Sequence, residues 1–189
     1  LTEMLALAEL APPPAGDVPE GELFLARLDM LLARGALDPA LALMERAGPT
    51  DPQVFRRFFD VSLLTGHGDR ACRAMEANPD IAPTFPARIF CLARGGDWPA
   101  AALSFGTGEA LGRFDPAMAD LIARFLDPEL FEGEGSLPPD PALTPLSFQM
   151  RMAIAERPDL TGQPLALVHA DLSQLAGWRA QLDAAERLT

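Results

Sequence analysis

Cys91-Leu92-Ala93-Arg94-Gly95-Gly96-Asp97-Trp98-Pro99-Ala100-Ala101 ends one helix and begins the next. Glycine after an apolar run stops a helix, because it adopts positive φ at no steric cost. Asp with Pro close behind starts one, since the carboxylate accepts orphan amide hydrogens of the first turn and Pro gives up a donor that has no partner there. The same layout stands upstream, in Leu31-Leu32-Ala33-Arg34-Gly35 with Asp38 following and in Leu63-Leu64-Thr65-Gly66 with Asp69 following. First helices of successive pairs then begin near residues 22, 52, 84 and 116, a period of about 31 residues. A single helical hairpin cannot bury its apolar face, so a period of this length predicts hairpins stacked side by side.

The punctuation extends along the chain. Asp38-Pro39, Asp51-Pro52, Asp115-Pro116, Asp127-Pro128 and Thr144-Pro145 all read as helix starts. Helices are expected over 2–10, 22–34, 39–47, 52–65, 69–77, 84–94, 98–111, 116–126, 145–156 and 177–188, with a short one over 165–175. Sustained period-2 alternation is absent and β-branched residues are few, so the fold class is all-α. The chain divides into an N-terminal helix with a Pro-rich linker (1–20), a hairpin array (21–131), an extended Pro/Gly linker (132–144) and a C-terminal helical segment packing on the array (145–189).

Gly96-Asp97-Trp98-Pro99-Ala100-Ala101, running on to Ala110-Leu111, resembles the centre of a tetratricopeptide repeat. The resemblance covers about residues 21–126 and implies a short right-handed superhelix, an α-solenoid, whose first helices line a concave groove. Carried over by repeat register, the groove candidates are Phe24, Arg27, Arg34, Phe58, Ser62 and Arg94. The Lys and Asn clamp with which some such arrays hold a terminal carboxylate has no counterpart; arginines are the available substitutes. Phe125 to Glu132 and Gly177-Trp178-Arg179 are similar to uncharacterised alphaproteobacterial proteins, which implies an exported, periplasmic protein, with the cytoplasm as the alternative. The chain opens at Leu1 and closes directly after a helical pattern, and so reads as part of a longer protein.

Composition excludes more than it assigns. The net charge is −12 and all fifteen basic residues are arginine, so an extended polyanion meets net repulsion and nucleic acid is not an expected partner. The absence of lysine removes Schiff-base chemistry and the phosphate-loop lysine. No apolar run approaches the roughly 18 to 20 residues of a membrane span.

Residues that carry chemistry elsewhere have plainer readings here. Cys72 and Cys91, the only cysteines, fall at similar heights on facing helices, so a disulfide is geometrically open. By repeat register, however, Cys91 stands where Leu31 and Leu63 do and Cys72 where Leu41 does, which favours two buried free thiols. His67, between two glycines, reads as a solvated turn histidine, and His169, in an apolar stretch, as a buried hydrogen-bonded one. Neither has a ligand partner at helical spacing, so no metal is expected. Asp38, Asp51, Asp97, Asp115 and Asp127 are absorbed as caps; Glu109, Glu132 and Glu134 are left over for a two-acid site without specific support. Gly106-Thr107-Gly108 with Gly112 lacks the strand and the basic residue of a phosphate loop and reads as a weakened helix. The expected function is therefore a non-enzymatic protein- or peptide-binding module without cofactor or catalytic residues. The alternatives are an accessory or substrate-binding domain of a cell-wall glycan-active enzyme, and self-association through exposed helix faces.

Overall fold

A computed structural model describes the backbone of residues 21–186 and the side chains of 21–177. The helix expected over 2–10 and the linker after it lie outside the described residues. Those described form nine α-helices: α1 (Glu22–Ala33), α2 (Leu37–Ala47), α3 (Pro52–Leu64), α4 (Gly68–Ala77), α5 (Phe85–Arg94), α6 (Trp98–Ala110), α7 (Pro116–Leu126), α8 (Pro145–Ala153) and α9 (Leu165–Glu186). Single 3-10 turns at Pro79–Ile81 and Pro128–Phe131 follow α4 and α7, and no strand occurs among the described residues.

Most helix starts are built as the sequence predicts. The Asp51 carboxylate accepts from the amides of Gln53 (2.9 Å) and Val54 (3.1 Å), that of Asp97 from Ala100 (3.2 Å) and that of Asp115 from Met118 (2.9 Å). Thr144 and Ser147 form a reciprocal capping box at α8. Asp38-Pro39 departs from the pattern: α2 begins at Leu37, with Ala36 as an N-cap that offers no side-chain bond. The reason is the preceding turn, where Gly35 at φ +70° and an Ala36 amide donating to the Leu31 carbonyl start the new helix early. Pro39 still fits, since a first-turn residue needs no intrahelical donor. Asp127-Pro128 opens only the 3-10 turn, because the chain reverses again at Gly133, φ +85°.

Consecutive helices from α1 to α7 pack on one another in order, and α1 also touches α3. The centre of the molecule is α3, whose Val54, Phe55, Phe58, Phe59, Val61, Ser62, Leu63 and Leu64 are all buried. Contacts with α1, α2, α4, α8 and α9 enclose these residues, while Gln53 and Arg56 on the polar side of α3 stay exposed.

The C-terminal segment provides part of that enclosure. Helix α8 lies on α3 and α7, and α9 lies on α1 and α3, so three of the first helices of the pairs, α1, α3 and α7, are covered. The stretch 132–144 is helix-free but is no loose linker. Leu137 and Leu143 are buried, their amides donate to Glu156 (3.0 Å) and Gln163 (3.2 Å), and Arg151 donates to the Pro138 carbonyl (2.8 Å). The separate helix expected over 177–188 is instead the end of one continuous α9 from Leu165. Glycine inside a helix costs only about 1 kcal/mol, and without a positive-φ turn or a following proline Gly177 does not stop it.

Candidate functional site

The α4–α5 junction carries a recess lined by residues of both helices. Cys72 and Cys91 are disulfide-bonded with Cα atoms 5.1 Å apart, which overturns the reading as free thiols. The register argument placed both cysteines at core positions, and it holds for Cys72, which is buried, whereas Cys91 is half-exposed at the mouth of a cleft. One turn away the Arg94 guanidinium pairs with the Asp69 carboxylate, so the contacts climb α4 as they descend α5, as antiparallel packing requires. Arg94 is further fixed over the Phe90 ring, 5.9 Å from its centroid.

Between these helices and the α5–α6 turn lies a solvent-open cleft of about 400 Å³. The disulfide, Met75, Leu92, Pro79 and Ala82 are among its lining residues. Arg73 and Glu76 of α4, Arg88 of α5, the Asp69–Arg94 pair and Asp97 also line it. Asp97 is engaged as the cap of α6 and Asp69 by Arg94. Among the described residues Arg73 and Arg88 form no ion pair, so two guanidiniums face the cleft unneutralised. An apolar base with a few polar groups on its walls, at this volume, is the usual constitution of a binding recess.

The six groove candidates do not form one surface. Phe58 and Ser62 are buried on α3, at 5% and 0% exposure. They are core because α3 is packed on several sides at once, which no single-repeat register reveals. Phe24 and Arg27 are half-buried on α1, and Arg34 is exposed at the end of that helix. Only Arg94 lines the cleft. Sequence reasoning passed over Arg73, Glu76 and Arg88; counting outward from the Cys72–Cys91 height match would have found them.

A second recess, of about 540 Å³, lies where α9 meets the α1–α2 turn and the end of α3, with His169 and Leu172 on one side and Leu37 and Leu64 on the other. His169 is hydrogen-bonded as expected, to the Gly35 carbonyl at 2.9 Å, but it lies at the surface rather than in the core. The ring reaches that carbonyl from α9, which lies over the α1–α2 turn. His67 is exposed at the N-terminus of α4, its Nδ1 3.1 Å from the Thr65 hydroxyl.

Two electrostatic features belong to the framework. Arg57 of α3 grips Asp29 of α1 through Nε (2.6 Å) and Nη2 (2.8 Å), and these bonds hold the Asp29 carboxyl below its usual range. Burial pushes the Asp60 carboxyl up to about 6, against the opposing pull of the Arg56 and Arg57 charges. Asp60 lines neither recess. Glu109 and Glu132 are exposed, and Glu134 pairs with Arg124 at 3.1 Å, so the three spare acids are not brought together.

Among the described residues no group of three or more His, Cys, Asp or Glu is placed to hold a metal ion, and no helix is long and apolar enough to cross a membrane. No protein-family model, curated protein or solved structure matches this chain.

Proposed function

We propose that this chain is a non-enzymatic recognition module, a stack of tetratricopeptide-like helical hairpins that holds a peptide segment of a protein partner in the α4–α5 cleft. The carrying observation is the cleft itself, lined by the disulfide, Met75 and Leu92 and by two arginines, Arg73 and Arg88, that form no ion pair. The concave groove that the repeat resemblance implies is the weaker candidate. Three of its first helices, α1, α3 and α7, carry α8 or α9, and two of its six residues are core. The working surface is thus displaced from the first helices to the seam between one hairpin and the next.

The disulfide also supports an oxidising compartment, the periplasm in the exported reading, because such bonds form and persist there and are rare in the cytosol. Selection of a displayed random twelve-residue peptide library on the oxidised full-length chain tests the function. Hydrogen exchange then maps the footprint of the enriched peptides, with protection expected across residues 69–97. No enrichment, or a footprint confined to α8 and α9, would overturn the assignment.

A further inference from the structure

Helix α9 has two unlike parts. In the first, Leu167, Ala170 and Asp171 are buried where α9 lies on α1 and α3. From Leu172 to Gly177 every residue is exposed, over more than a full turn and so on all sides, yet the helix continues to Glu186. Residues 172–186 thus form an arm about 22 Å long. A helix of this length without tertiary packing is marginal in water, and a glycine in its middle weakens it further, so the arm needs a partner.

The leucines of α9 make a seam. Among the described residues eight large apolar side chains are well exposed, and three of them, Leu165, Leu172 and Leu175, lie on this helix; the other five are scattered over α1, α6 with its end, and the second 3-10 turn. Leu165 and Leu172 are seven positions apart, Leu175 follows three later, and the sequence has Leu182 seven beyond Leu175. Two seven-residue series offset by three are the pattern of a two-stranded coiled coil. The arm is also neutral. Residues 172–189 carry two arginines and two acids, so the full −12 of the chain resides in residues 1–171 and opposes the approach of a second copy everywhere but here by net charge.

We infer that α9 is a dimerisation arm, which pairs antiparallel with α9 of a second copy so that Leu172 of each chain stands level with Leu182 of the other. Two-fold symmetry then sets one leucine series against the other twice over. The midpoint of the pairing falls at Gly177, where the single chain leaves open space and the missing side chain lets two backbones approach. Antiparallel pairing also holds the two acidic bodies at opposite ends of the arms, farther apart than the Debye length of about 8 Å, whereas parallel pairing would bring them together. None of this depends on the α4–α5 cleft.

Sedimentation equilibrium of the oxidised chain over a wide range of concentration tests the association. The average mass should rise from one chain to two for the parent and stay at one for L172E/L175E. Both leucines are exposed in the single chain, so the double variant should melt like the parent at dilutions where the parent is monomeric. Benzoylphenylalanine in place of Leu172, photolysed in a mixture of nitrogen-14 and nitrogen-15 chains, should crosslink to residues around 182 of the second copy. A parent that stays monomeric, or an L172E/L175E variant that dimerises as the parent does, overturns the arm. Crosslinks to residues around 172 of the second copy overturn the antiparallel register. Crosslinks within one chain to residues 1–10 assign the seam to the N-terminal segment and overturn the second copy as its occupant.

Discussion

The imidazole Nδ1 of His169, on α9, donates to the backbone carbonyl of Gly35 in the α1–α2 turn, 2.9 Å away and 134 positions earlier in the chain. A carbonyl only accepts, so the contact fixes the hydrogen on Nδ1. The same turn needs a glycine twice over. Gly35 has φ +70°, and a Cβ built there would come within 2.5 Å of the His169 ring.

Gly35→Ala should therefore lower stability by more than Gly66→Ala. Gly66 has a comparable φ of +79° but open space around it. The backbone strain common to both is about 1 to 2 kcal/mol; the excess at Gly35 measures the pressure on His169. Denaturant melts of both variants, repeated with His169→Ala, check this, because the excess should vanish once the ring is gone.

Asp60 should make the protein less stable as pH rises. Its folded-state carboxyl holds its proton up to about 6 against an ordinary 3.8, so the folded chain binds the proton more tightly than the unfolded one. The stabilising protonation is fully present below about pH 4 and is lost through the window up to about 6. Asp60→Asn should then gain about 3 kcal/mol over the parent at pH 7.5 and little at pH 4. Chemical denaturation of the pair at the two pH values reads the difference directly; an equal offset at both would show that Asp60 ionises freely in the fold.

Reduction of the Cys72–Cys91 bond should cost about 3 kcal/mol by the chain-entropy model for its separation of 19 residues. For a domain of this size that corresponds to a fall in Tm of roughly 6 to 12 °C. Melting with and without a dithiol reductant measures it, and Cys72→Ser/Cys91→Ser should match the reduced parent without responding to the reductant.

Two glycines of α6 should respond in opposite directions to alanine. A Cβ at Gly106 meets open space, so Gly106→Ala should stabilise by about 0.5 to 1 kcal/mol. At Gly108 the added carbon would lie 2.5 Å from Phe114 and 2.6 Å from Phe85, whose stacked rings have centroids 5.7 Å apart. Overpacking of that kind costs about 1 to 3 kcal/mol. Thermal melts of the two single variants suffice to compare them.

Local chemistry made the helices legible. Asp51, Asp97, Asp115 and Thr144 announce their starts through caps that act within three residues, and Gly35, Gly66, Gly96 and Gly112 mark the turns with positive φ. Gly108 reads in sequence only as a weak point of a helix, and only its tertiary neighbours, Phe85 and Phe114, show that it admits two rings. The same limit governed the site. Helix-pair counting brought Cys72 and Cys91 to one height, yet the covering of α3 by α8 and α9 depends on contacts nearly a hundred residues apart, which no local pattern encodes. Phe58 and Ser62 were therefore assigned to a groove that is core, while Arg73 and Arg88 carried no motif to single them out.

The return of α8 and α9 onto the earliest helices also sets the order in which the molecule can be completed. A linear array closes unit by unit as it leaves the ribosome, each hairpin capping the one before. Here α3 keeps an incomplete shelter until residues beyond 145 have been synthesised, so vectorial folding leaves the centre of the protein to the end.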